Sequence, residues 1–140
     1  MSNKGFSLLE LLVAMTIIAL LGTLGFQQYQ RYSMSSRHIK AQDDIKIVAE
    51  GLDQYYLKYG QYPELPSYES MVASNSPLLK ENFIKVGMKN SDPFGQPYQG
   101  RATKNTYELK YLGVPDRTNE YSGVTRTPFQ VTGNESANGT

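Results

Sequence analysis

The segment FSLLELLVAMTIIALLGTLGF, Phe6 to Phe26, decides how this chain folds. Its side chains are apolar or small, apart from three hydroxyls and Glu10. As a helix it spans about 31 Å at roughly 1.5 Å per residue, which matches a hydrocarbon core of about 30 Å. Glu10 is the anomaly. A carboxylate at the centre of a span costs about 2.5–3.5 kcal/mol, less toward an end, and such a group is expected to have a partner.

Three readings accommodate the segment. A cleaved secretory signal would use Lys4 as its basic flank, but it wants an A-x-A-like site, and Thr23-Leu24-Gly25 is a poor version of one. A plain single-span anchor, with Lys4 in the cytoplasm, leaves Glu10 unexplained, and Arg31 and Arg37 on the far side weaken the charge asymmetry. The third reading cuts the chain between Gly5 and Phe6. Phe6 then carries a new α-amino group one helical turn from Glu10, and in low dielectric an amine and a carboxylate relieve each other's desolvation. Within one chain the pairing is awkward. Between staggered neighbouring chains it sets a register, the best-attested use of a buried charge.

Lys4-Gly5-Phe6-Ser7-Leu8-Leu9-Glu10 resembles the class III leader of type IV pilins and pseudopilins: a short basic leader, Gly before the cut, Phe after it, and Glu at the fifth mature position. The resemblance implies that a prepilin peptidase cleaves after Gly5 and N-methylates Phe6, and that Glu10 is the assembly carboxylate. Many members carry Pro where this chain has Gln27. Gly22 and Gly25 lie just before it; each weakens a helix by up to about 1 kcal/mol relative to Ala, and small residues also let helices approach closely.

Beyond Phe26 the periodicity continues with different chemistry. Ala41, Ile45, Val48, Leu52, Tyr55 and Tyr59 recur at steps of four and three, an apolar stripe on a helix. Arg37, Lys40, Asp43, Asp44, Lys46, Glu50 and Lys58 fall mostly on the other faces. No proline intervenes before Pro63, and Gly60 is a C′ stop. One helix is predicted from about Phe6 to Tyr59, with Gly51 as its weak point. His38, the sole histidine, falls in a polar stretch and reads as a solvated surface residue. A short helix around Tyr68–Ala73, capped by Ser67, follows.

Leu52-Asp53-Gln54-Tyr55 running to Gly60-Gln61-Tyr62-Pro63 resembles the helix exit of major pseudopilins of type II secretion. Asp92-Pro93-Phe94-Gly95-Gln96-Pro97-Tyr98 is turn chemistry and resembles the D-P-W-G-x-P-Y element of the same proteins, with Phe94 in place of Trp. The alternation Tyr107-Glu108-Leu109-Lys110-Tyr111-Leu112 has the period of a half-buried strand. Weaker strand candidates are 98–101 and 129–132, with a hairpin turn at 103–105. Where major pseudopilins carry an acidic calcium loop, only Asp116, Asn119 and Glu120 are found, broken by Pro115 and Arg117. Calcium wants six to eight oxygens, so a plain surface loop is the better reading and no cofactor is expected, calcium being the one candidate ion.

The totals exclude other classes. Lys and Arg (14) nearly balance Asp and Glu (13) in 140 residues, leaving no basic footprint for nucleic acid. The chain has no cysteine, so disulfide scaffolds, thiolate nucleophiles and zinc ribbons are out. One histidine and no phosphate loop give an enzyme nothing to build on. The eleven tyrosines are accounted for by packing, and two Asn-X-Ser/Thr sequons in the polar tail are accidental.

The expected architecture is α+β. It comprises a leader (1–5), a transmembrane and assembly segment (6–26), the amphipathic half of the long helix (27–59), a head with a small antiparallel sheet (60–132) and a disordered tail (133–140). The resemblance implies a homopolymeric filament subunit, first of all the major pseudopilin of a type II secretion system. Its partners would be the prepilin peptidase, the assembly platform, minor pseudopilins and the membrane. Its place would be the bacterial inner membrane, single-pass, with the carboxy-terminal domain periplasmic and the polymer a pseudopilus. The alternatives are a type IV pilus pilin and, from another class, a membrane-anchored monomeric binding module.

Overall fold

The structure, a computed structural model, describes residues 5–128 and 130–132. The leader residues 1–4, Phe129 and the tail 133–140 with its sequons lie outside the described residues. Helix α1 runs Leu8–Tyr59, close to the expected span. The chain divides into two compact units, one up to Ser35 and one from Ser36 onward.

In the first unit the helix opens at Ser7. The Glu10 amide donates to Ser7 Oγ at 3.1 Å and the Leu11 amide to the Ser7 carbonyl at 3.2 Å. Ser7 therefore caps the helix and Glu10 is its third residue, where the partial positive charge of the helix start favours a carboxylate.

The second unit is built on the predicted stripe. Ala41, Ile45, Val48 and Leu52 are fully buried, while Tyr55 is half-buried and Tyr59 exposed. Burying an Ile or Leu side chain contributes about 1.5–3 kcal/mol, so this face is what orders the head. Gly60 ends α1 with φ +72° and its amide on the Tyr56 carbonyl at 2.7 Å, a left-handed cap.

Two short helices follow. Helix α2, Tyr68–Val72, is capped by Ser67 as expected; Ser67 and Ser70 exchange side chain–backbone bonds at 3.2 Å. Helix α3, Pro77–Lys80, was not anticipated, although Ser76 caps it and Pro77 occupies its first turn.

The sheet has four antiparallel strands in sequence order: β1 Gln99–Thr103, β2 Thr106–Gly113, β3 Ser122–Thr127 and β4 Gln130–Thr132. Thr103 pairs with Thr106, leaving Lys104-Asn105 as the two-residue turn. Alternate residues of β2 are buried, so Tyr107, Leu109 and Tyr111 face the core with the α1 stripe. The free edge of β1 is covered by the chain after α1, through Leu65–Ala102 backbone bonds of 3.0 and 2.8 Å. Strand β3 occupies ground that had no strand assignment. Its sequence SGVTRT offers only one fully buried apolar residue, Val124, so alternation could not announce it.

Candidate functional site

The candidate assembly residues lie at the start of the first unit. A Cβ on Gly5 would meet nothing within 4 Å among the described residues, and Phe6 is 91% exposed. The apolar side chains that follow are exposed, from Leu8 to Phe26. The hydroxyls among them are satisfied within the helix: Thr16 donates to the Leu12 carbonyl and Thr23 to the Leu20 carbonyl, each at 2.8 Å. Glu10 is thus the one ionisable group on a surface otherwise made for lipid or for other helices. It lines a shallow depression of about 350 Å³ with Leu9, Val13, Ala14 and Ile17. Gly22 and Gly25 have nothing within 4 Å of where a Cβ would stand, and the helix runs through both without a break.

In the second unit polar contacts join α1 to the turn and sheet. His38 Nδ1 lies 3.2 Å from the Tyr111 hydroxyl, and its Nε2 lies 3.3 Å from Gln42 Nε2. Tyr98 donates to Asp44 Oδ2 at 2.9 Å, with Lys40 on the other carboxylate oxygen. Tyr107 donates to Asp53 Oδ1 at 3.2 Å. His38 is therefore buried, 3% exposed, and not the solvated residue its polar neighbours suggested. The signal was available: His38 stands three residues before Ala41, on the same stripe. Asp44, grouped with the charges that fall mostly off the stripe, is likewise buried. Burial holds the His38 ring below the usual histidine range. Burial and then the neighbouring Asp44 and Asp53 charges push the Tyr98 and Tyr107 hydroxyls up.

The Asp92 turn is self-contained. Asp92 Oδ1 accepts from the amides of Phe94 at 2.8 Å and Gln96 at 3.0 Å, and Gly95 takes φ +84°. A groove of about 720 Å³ between α1 and residues 85–95 contains Asp44 and Asp92, yet both carboxylates are engaged as described. Among the described residues no nucleophile–base pair lines it.

Asp116, Asn119 and Glu120 lie together on the loop 114–121 between β2 and β3, all exposed. As side-chain donors for calcium they are a thin set. Three of the loop's carbonyls accept bonds from within it: Val114 accepts from Arg117, Arg117 from Glu120 and Tyr121, and Tyr121 from Val114, at 2.8–3.1 Å. The charged and amide side chains of the loop supply two carboxylates and one amide, against a need for six to eight oxygens in all. Among the described residues no group of three His, Cys, Asp or Glu side chains could hold a metal.

Comparison with known proteins adds two family matches. The prokaryotic N-terminal methylation motif matches residues 1–26, and the family described as type II secretion system protein G matches residues 28–125. The type II secretion system core protein G of Pseudomonas aeruginosa is 33% identical over 120 residues, 80% of this chain and 84% of its own length. That of Escherichia coli is also 33% identical, over 69% of this chain and 70% of its own. A type IV major pilin protein of Neisseria gonorrhoeae is 32% identical over 63% of this chain, which spans only 53% of that pilin. No solved structure matches significantly.

Proposed function

The chain belongs to the protein G family of type II secretion systems, and from that premise we propose that it is the major pseudopilin, a structural subunit of a homopolymeric filament that drives protein export. Members of this family are structural pseudopilins, and an apolar amino-terminal helix anchors the chain in the cell envelope. In this reading the leader 1–5 is removed after Gly5, Phe6 is N-methylated, and the apolar segment that begins at Phe6 crosses the inner membrane with the head on the periplasmic side. On assembly the exposed apolar face packs against copies of itself, and Glu10 pairs with the Phe6 amine of a neighbour to fix the axial stagger. The prepilin peptidase, the assembly platform and minor pseudopilins are the remaining partners. This reading assigns the head no calcium, because the loop offers only two carboxylates and an amide as charged or amide side-chain donors.

The observation that carries this reading is the coincidence of the methylation motif with an exposed apolar first half of α1 holding one carboxylate, Glu10, near its capped start. Its test is Glu10→Ala in the natural host. The variant should insert in the membrane at normal levels but yield no sedimentable filament and no export of secreted proteins. Export intact with Glu10→Ala would defeat the proposal. The pilin relatives favour one second reading, a type IV pilus subunit. Long surface filaments lost on deletion, with export unchanged, would select it.

A further inference from the structure

Just past the apolar run, Tyr29 is 68% and Tyr32 74% exposed. Three residues apart, they share one side of the helix, and Gln27, Gln28, Gln30 and Arg31 surround them. Among the described residues of their own unit neither ring packs on another ring or makes a hydrogen bond. Tyrosine combines an apolar ring with a polar tip and concentrates where hydrocarbon meets headgroups, and a neighbouring arginine can reach the lipid phosphates.

We propose that Tyr29 and Tyr32, with Arg31 between them, seat in the lipid headgroup boundary and fix the depth of the span, so that Glu10 is held at the opposite boundary. The inference rests on the membrane-anchored reading above. Its support is a length. Tyr29 lies nineteen residues beyond Glu10 on one continuous helix, about 28 Å at 1.5 Å per residue, against a hydrocarbon core of about 30 Å. With Tyr29 at one boundary, Glu10 falls within about 2 Å of the other. A span placed by residues 6–26 alone would sink it about 6 Å deep. The belt therefore keeps the carboxylate hydrated in the free subunit and leaves its burial to filament assembly. The occupant of this surface is the lipid boundary, because the spacing fits a bilayer's thickness.

The chain has no tryptophan, so one introduced Trp is a unique fluorophore. The full chain, carrying Tyr29→Trp, Tyr32→Trp or Leu20→Trp, is reconstituted in phosphatidylcholine vesicles brominated either near the headgroup or near the terminal methyl. The shallow bromines should remove most emission from Tyr29→Trp and Tyr32→Trp, and the deep bromines most from Leu20→Trp. If Leu20→Trp is quenched by neither lipid, the membrane reading itself fails. If it is quenched while Tyr29→Trp and Tyr32→Trp respond to neither, or only to deep bromines, the belt is overturned and the anchor survives. Depth control is tested with Leu12→Trp beside Glu10. Adding Tyr29→Ala and Tyr32→Ala should move its quenching from shallow to deep bromines, and an unchanged pattern overturns the proposal.

Discussion

The Tyr98 hydroxyl donates to Asp44 Oδ2 at 2.9 Å across 54 residues of chain, fastening the end of the Asp92 turn to helix α1. The bond is buried, and Lys40 balances the carboxylate from one turn back. Tyr98→Phe keeps the ring and removes the donor, leaving a buried acceptor short of one partner. A loss of about 1–3 kcal/mol follows from such an orphaned group. Urea unfolding of the full chain in detergent should show a lower midpoint with an unchanged slope.

His38 makes the head acid-sensitive. Burial lowers its pKa in the fold below the unfolded value of 6.5, so the unfolded chain takes up the proton first. Stability is full above pH 6.5 and falls as pH drops toward the folded value, at up to about 1.4 kcal/mol per pH unit. The rings and amide recorded against it, Tyr111, Tyr121 and Gln42, carry no charge in that range and cannot compensate. Melting temperatures should decline from pH 6.5 to 5, and His38→Gln should flatten that decline.

Gly51 is a contact, not merely a weak point. A Cβ there would stand 2.5 Å from Ile84 Cγ2 and 3.2 Å from the Phe83 carbonyl oxygen. Helix propensity alone would reward Gly51→Ala by up to about 1 kcal/mol, whereas forcing a methyl into packed surroundings costs about 1–3 kcal/mol. Packing wins, so Gly51→Ala should melt below the parent. A higher melting temperature would mean that the chain around Ile84 yields freely.

The loop 114–121 predicts indifference to calcium. A cation bound at a hundredfold excess over its dissociation constant would stabilise the fold by about 2.7 kcal/mol. Here a chelator should leave the melting temperature where it was, and so should Asp116→Ala with Glu120→Ala. A drop on chelation, abolished by the double variant, would establish a site the donor set does not suggest.

Most of the fold was legible because its signals are local and repeated. The α1 stripe, the Gly60 stop, the Ser67 cap, the Asp92 turn and the alternation of β2 each specify their own conformation. What escaped depends on contacts between distant parts. His38 is polar, and only its place on the stripe and its bonds to Tyr111 and Gln42 make it a core residue. Strand β3 is ordered by pairing with β2, Val124 opposite Tyr111, and its own side chains do not declare it. Gly51 needed Ile84 beside it to reveal its purpose. At the amino terminus, the roles of Gly5, Phe6 and Glu10 are proposed from the sequence alone; the Ser7 cap, which places Glu10 at the favoured end of the helix, came only with the structure.

The central claim is that Glu10 serves assembly with a new amino terminus at Phe6, and the intact mass of the protein from cells with and without the prepilin peptidase tests it most directly. The account predicts loss of residues 1–5 and gain of one methyl group, both dependent on that enzyme. A chain left uncut in its presence, or cut after Gly25, would contradict it.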